Sequence, residues 1–322
     1  MNNNIINKPV IPPKNSFNAR LRNSEVFKYI KYKYLVFMFL PVIAYYILFH
    51  YFPIYGVQIA FKDFKLLGGI WGSPWVGFEN FITLFQMRSF REVLGNTIII
   101  SSYKLIFGFP APIIFALLLN EINKLYFKKA VQTITYLPHF LSWVILGGIF
   151  IQFLSPSVGP INIFLKAIGV QPVFFLGDTQ WYRFTLVITA MWKDIGWGSI
   201  IYIATLSSVN PEMYEAAIID GAGRFKRVVY VSLPSLLPVI SIMLIFAIGG
   251  LINDDFDQIF NTYNPSVYKV GDVLSTYIYR RGLESMEYSF ATAVGLFKNI
   301  VAFAMIIISN VITKKISENG IW

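Results

Sequence analysis

Four ionisable residues stand inside long apolar runs of this chain: Lys104, Lys193, Asp194 and Lys298. Each lies about eight to twelve residues from the end of its run, or roughly 12–18 Å deep at 1.5 Å per residue of helix. Ionisable groups at that depth cost kilocalories and face a bundle interior or an aqueous cavity. Lys193 and Asp194 are adjacent and so project to different faces of a helix, and each needs its own partner. Two uses fit: pairs between helices that fix a bundle, or the lining of a translocation path. Covalent chemistry has less to draw on. The only histidines are His50 and His139, and there is no cysteine, so a zinc set is implausible and no Ser/His/Asp constellation stands out. No G-x-x-x-x-G-K-[ST] loop exists, and Gly221-Ala222-Gly223-Arg224-Phe225-Lys226 lacks the third glycine of a dinucleotide loop.

The elements that must hold these groups are membrane spans. Of 322 residues, 56% are hydrophobic and only 14% charged, against about 25% in a soluble domain. Several apolar runs approach or exceed the roughly 18 residues of a crossing. The fold class is therefore all-α, a polytopic membrane protein with six transmembrane helices at about 34–52, 97–119, 138–153, 184–206, 236–252 and 288–312. The second should kink at Gly108-Phe109-Pro110-Ala111-Pro112. The first begins at Tyr34, is long enough to span, is not followed by a small-residue cleavage site, and reads as an uncleaved anchor. Residues 1–33 form a basic tail with a possible short interfacial helix from Ser24, its lysines facing headgroups. Residues 34–322 then form a single transmembrane domain.

Charge placement orients the chain. Taken together, 1–33, 120–137, 207–235 and the residues after 312 hold fifteen Lys/Arg against six acids, whereas the other segments between spans hold nine against ten. The positive-inside rule puts the former, and both termini, in the cytoplasm. The net charge of +10 thus reads as topology rather than nucleic-acid binding. The outer segments are 53–94, packed on the membrane by Trp71, Trp75, Phe78 and Phe81; 154–182, with a small lip helix; and 253–287, rich in acids.

Between the fourth and fifth spans lies the longest polar segment of the second half, residues 207–234. Asn210-Pro211-Glu212 is a helix start: a capping Asn, proline at the first helical position, an acid in the first turn. Glu215-Ala216-Ala217 continues the helix, and Gly221 and Gly223 break it. A second short helix should run from about Arg224 to Val231, after which Leu233-Pro234 turns the chain back into the bilayer.

Glu215-Ala216-Ala217, three residues, Gly221, nine residues, Val231, one residue and Leu233-Pro234 match the EAA signature of permease subunits of binding-protein-dependent ABC importers. The match includes the Asp220-Gly221-Ala222 variant common among sugar permeases. The chain resembles the carbohydrate permeases of the maltose-transporter type, in the branch handling complex oligosaccharides and polysaccharides. Trp192–Gly198, Phe256-Asp257-Gln258-Ile259 and Tyr288–Lys298 resemble that branch too. It departs from the maltose-type subunit itself in having only about forty outer residues after its first span.

The resemblance implies the type I ABC importer permease fold and a passive transport subunit, not an enzyme. Glu215, Ala216, Ala217, Asp220, Gly221, Leu233 and Pro234 would couple it to a separate ATPase subunit. Arg224, Lys226 and Arg227 serve as topology determinants, or as a salt bridge to that ATPase. The implied partners are a second six-span permease, two ATPase subunits and an extracellular solute-binding protein in the plasma membrane of a prokaryote. ATP and magnesium would bind the ATPase, and this chain would bind no cofactor and no metal. The binding protein would dock on 253–287 and 154–182.

Sugars are recognised by aromatic faces with planar polar groups. Trp192 and Trp197 on the fourth span, with Asn253, Asp254 and Asp255 at the end of the fifth, supply both. With Lys193, Asp194 and Lys298 they are the candidates for the substrate path. Three lysines against one aspartate inside the spans hint at tolerance for anionic sugars such as uronates. The same architecture with a non-sugar solute, and an ATP-independent carrier, remain as alternatives.

Overall fold

Prolines and polar caps, more than apolar periodicity, set where the helices of this chain bend. The computed structural model describes residues 32–252 and 254–317, so the expectations on residues 1–31, Asn253 and the last five residues lie outside the described residues. By internal contacts the chain divides into two units, Met1–Val57 and Gln58–Trp322; from the sequence the one boundary falls at residue 33.

In the first unit, α1 (Lys33–Tyr46) continues through a π turn at Ile47–Tyr51. It belongs to the apolar helical run Tyr34–Phe61. A helix apolar all round is one that lipid or other helices must cover.

The second unit is helical throughout, and among the described residues one isolated bridge, Lys62 to Trp75, is the only strand-like pairing. α2 (Arg88–Tyr103) passes through a π turn, Lys104–Gly108, into α3 (Pro110–Asn120). The 33 residues run as one continuous helix, and the π turn and Pro110 fall where the sequence suggested a kink. α4 (Leu125–Tyr136) leads into a 3-10 turn at Leu137–Phe140 and then α5 (Trp143–Phe153), bent by 105°. The expected straight crossing at 138–153 is thus a broken one: Leu141 is extended and Ser142 caps α5.

The long α6 (Tyr182–Ser207) follows, then α7 (Pro211–Ile219), the rod ending in α8 (Leu233–Gly249), and α9 (Tyr288–Ser317). Among the described residues four helices are long and apolar enough to cross a membrane alone, and the bent pair makes a fifth if it is one span. At 26 residues α6 has the length of a crossing, about 39 Å, with Lys193 and Asp194 lowering its hydropathy.

Among the described π turns, those at Ile47–Tyr51, Lys104–Gly108 and Val228–Ser232 each end two residues before a proline: Pro53, Pro110 and Pro234. A proline removes one donor and its ring presses on the carbonyl four residues back; widening the turn by one residue relieves both. For that reason Leu233-Pro234 does not turn the chain. Arg224–Gly249 is one rod of 26 residues.

Three apolar clusters hold the second unit. One joins Leu84, Phe90, Leu274, Tyr277, Phe290 and Val294. The second contains Tyr182 and Leu186 from the start of α6, and the third Tyr202 and Leu206 from its end. α6 is therefore the helix on which both ends of the bundle are assembled. The buried Asn162 ties the 154–182 loop to itself: its amide donates to the carbonyls of Leu154, Ser155 and Val173, and its Oδ1 accepts from the Val173 N–H at 2.7 Å. The expected lip helix is Pro160–Ala167.

Candidate functional site

The Trp192–Gly198 stretch of α6 grips the broken crossing. Where the 3-10 turn ends, the carbonyls of His139 and Leu141 have no helical partner, and a buried orphan carbonyl is costly. The buried Lys193 ammonium donates to both, at 2.8 and 2.9 Å, and lies 5.6 Å from the Trp143 ring. One residue on, Asp194 Oδ1 sits 2.8 Å from Nδ1 of His139. Trp197 stacks flat on that same imidazole, with centroids 4.5 Å apart and 2° between planes. Gly196 admits the backbone of α4: a Cβ there would collide with the Thr135 carbonyl oxygen. Trp192 meets Phe150 edge-on at 5.7 Å and lines an apolar cavity of about 470 Å³ with Ile149, Phe153, Phe184 and Ile188.

Lys193 and Asp194 do point to different faces, and each has its own partner. Lys193 is taken up by backbone and does not face an aqueous path. The tryptophans are 49% and 44% exposed, so each keeps an open part.

Lys298 is likewise engaged. Its ammonium lies 3.1 Å from Asp254 Oδ1, with the two side chains 12% and 1% exposed. It also donates to Ser275 Oγ, while the Ser275 N–H donates to Asp254 Oδ2 at 2.9 Å. Both carboxylate oxygens are used, as a buried charge pair requires. The excess of lysines counted within the spans disappears. Asp254 and Asp255, assigned to the outer segment, reach back to Lys298 and Lys104.

Lys104 opens the π turn between α2 and α3. It donates to Asp255 Oδ2 and to Gln258 Oε1, each at 2.5 Å. The pair stands between two small cavities, and both residues line each. One, of about 240 Å³, also contains Ser101, Gly250 and Asp254. The other, about 190 Å³, contains Ala190, Met191, Asp194 and Ile195. Asp194, Asp255 and Lys104 thus come together around one cavity, whereas Lys193 and Lys298 do not join them. Gln258 and His139 were not marked from the sequence. Gln258 had a readable signal, since it lies three residues after Asp255 at the start of the short helix Phe256–Phe260 and so on the same side. His139 had none, because its partners are more than fifty residues away.

The outer acids are also mostly answered from within. Asp272 pairs with Arg280 and accepts from Thr276 Oγ1, and Glu287 meets Arg281 at 2.5 Å. Burial weakens the Arg280 charge, but its hydrogen bond to Asp272 and that carboxylate's charge prevail and hold its pKa above the ordinary value. Burial, helped by neighbouring Tyr268, pushes the Tyr263 phenol up to about 12. Of the six acids read as an outer patch, Asp254, Asp255, Asp272 and Glu287 are paired internally.

The 207–234 segment has the opposite character. Asn210 caps α7 by accepting from the Glu212 N–H at 3.1 Å, and the helix buries no residue. It stops at Gly221 with φ +77°. The Ala222 N–H bonds the Ala217 carbonyl at 2.8 Å and the Gly221 N–H bonds that of Ile218 at 3.0 Å, the paired bonds of a Schellman end. Glu215, Ala216 and Asp220 are exposed, as are Ile218, Ile219 and Phe225 at 53%, 85% and 81%. Tyr214 ties α7 to Ser232 through a 3.0 Å hydroxyl contact, and Arg227 turns inward toward Glu121 at 3.9 Å. Leu233 is half-buried and Pro234 exposed.

Residues 108–317 match the family described as binding-protein-dependent transport system inner membrane component. The chain is 41% identical to the protein LplB of Bacillus subtilis (strain 168), over 90% of this chain and 91% of that one. It is 38% identical to the polygalacturonan/rhamnogalacturonan transport system permease protein YteP of the same organism, over 95% of each. Its fold is similar to a chain in the crystal structure of a bacterial alginate ABC transporter in complex with an alginate pentasaccharide-bound periplasmic protein. There the TM-score is 0.85 and the identity 39%, over 92% of this chain and all of the other.

Proposed function

The chain belongs to the family of binding-protein-dependent transport system inner membrane components, and from that premise we propose that it imports oligosaccharides as one permease subunit of an ATP-driven ABC importer. It is a transport component, not an enzyme. A second six-span permease completes the bundle. Two ATPase subunits bind ATP and magnesium, this chain binds no cofactor, and an extracellular solute-binding protein delivers the sugar. Both termini lie in the cytoplasm of the prokaryotic cell that carries it.

The observation that carries this reading is the bare, capped helix Pro211–Ile219 with its Schellman end. It is a preformed cytoplasmic element with an apolar side that nothing in its own unit covers. Glu215, Ala216, Ala217, Asp220 and Gly221 dock it on an ATPase subunit. Leu233 and Pro234 lie in the rod Arg224–Gly249, which ends near Asp254 and Asp255, so movement at the ATPase reaches the cavity along one helix. Oligosaccharides fit the open parts of Trp192 and Trp197 and the polar cavity of Asp194 and Asp255. The relatives above named for polygalacturonan and alginate extend the substrates to acidic chains. Lys193 and Lys298 are bundle-fixing residues in this reading.

Reconstitution tests it. Proteoliposomes holding this chain, the second permease and the ATPase, supplied with the binding protein, should take up oligosaccharide only with internal ATP. Uptake that persists without ATP or without the ATPase contradicts the reading.

A further inference from the structure

Of the three lysines inside the spans, two are closed off. Lys193 is buried on backbone carbonyls, and Lys298 faces an aspartate whose side chain is 1% exposed with both oxygens engaged. Lys104 is held differently. Its two acceptors are a fixed neutral group and an exposed anion.

The neutral group is Gln258, wholly buried. Its Nε2 donates to the Leu186 carbonyl at 2.7 Å and to Thr189 Oγ1 at 2.9 Å. These two contacts orient the amide, so its oxygen is aimed at Lys104 whatever else is bound. The anion is Asp255, whose side chain is 53% exposed against 18% for Lys104. Among the described residues no donor other than Lys104 holds its carboxylate. The pair is open on its Asp255 side only, so a competing carboxylate can approach the ammonium from that side and exchange one charge-assisted contact for another. An ammonium with a permanent second acceptor stays positioned through that exchange. Cavities lie on both sides, with Ser101 lining one and Asp194 the other.

We infer that Lys104 is the carboxylate-selecting residue of the substrate path, with Asp255 as its resident counter-ion. A uronate carboxylate takes the place of Asp255 on Lys104, and Asp255 takes Lys104 back when the sugar leaves. A neutral sugar gains nothing from the exchange. The ligand class is therefore an oligosaccharide bearing carboxylates. This rests on the import reading above and deepens it.

The test is equilibrium binding of tetragalacturonate, and of its fully methyl-esterified form, to the whole transporter in nanodiscs without binding protein. The ester keeps the chain and removes the charge. In the wild type the acid should bind about tenfold more tightly than the ester, the worth of one charge-assisted hydrogen bond. Asp255→Asn should tighten the acid, because it removes the competitor. The double variant Lys104→Gln with Asp255→Asn leaves no charge unpaired and so should fold; its affinity for the acid should fall to that of the ester. Lys104→Arg should stay near wild type. Equal binding of acid and ester by the wild type overturns the inference, as does acid binding unchanged in the double variant. ATP-driven uptake of the acid by the same preparation is scored separately. Selective binding without uptake sinks the import reading and leaves the assignment of Lys104 standing.

Discussion

Trp192–Gly198 and Glu215–Pro234 are both polar, glycine-bearing interruptions of an apolar chain, and they dispose of their polar groups in opposite ways. In the first, Lys193, Asp194, Gly196 and Trp197 all close on residues 135–141 of the broken crossing. In the second, most of what the helix Pro211–Ile219 carries is turned outward, and the segment is held by that helix's cap and stop, a tether through Tyr214 and the approach of Arg227 to Glu121. The difference follows from the surroundings. A charge within the bilayer cannot be left to water and must find protein. A helix outside the bilayer is solvated and can keep its surface for a partner. Polar residues inside the bundle therefore read first as structure, and polar residues outside it as candidate contact.

That contrast can be broken by graded substitutions. Removing a buried partner should hurt most. Lys298→Ala leaves Asp254 unpaired, a loss of about 3–5 kcal/mol, and should appear as loss of folded transporter on size-exclusion chromatography in detergent. Adding Asp254→Asn should restore part of it. If Lys298→Ala is as stable as wild type, the pair is not a buried one. Lys193→Met strands the His139 and Leu141 carbonyls. About 1–3 kcal/mol follows for a buried unsatisfied group, read as a lowered thermal midpoint, and an unchanged midpoint would mean the broken crossing does not need its clamp. Gly221→Ala places a Cβ at φ +77°, where nothing crowds it. The cost should be about 1–2 kcal/mol, confined to the end of α7, and protease cleavage near residue 221 should reveal it before global melting does. Glu215→Lys should not move the thermal midpoint while it abolishes ATP-driven uptake. A shifted midpoint would put Glu215 among the structural residues and erase the contrast.

The helical architecture and the capped helix Pro211–Ile219 were legible because their signals are local. Asn210, Pro211 and Gly221 act on the backbone within four residues of themselves, and the observed cap and stop sit where those residues dictate. The fate of the intramembrane charges was not legible. Lys193 finds its acceptors 52 and 54 residues away in sequence, and Lys104 finds Asp255 at a separation of 151. Nothing in a single chain's periodicity encodes such pairings. The count that suggested an excess of lysines failed for the same reason, since it assigned Asp254 and Asp255 to water by their place after a span. Leu233-Pro234 misled differently. A proline near a helix start is tolerated, and a π turn ahead of it lets the rod continue, so the motif marks a position along a helix rather than a turn.

Because the chain has no cysteine, a single introduced thiol gives a direct test of the central claim, that α7 is the surface on which the ATPase acts. Ile219→Cys, at a position 85% exposed, should cross-link to the ATPase subunit through a short thiol-to-amine reagent, with a yield that changes when ATP is bound. Ser199→Cys, at a wholly buried position on α6, should give no product. Absence of an Ile219→Cys product in a complex that still imports oligosaccharide would contradict the account.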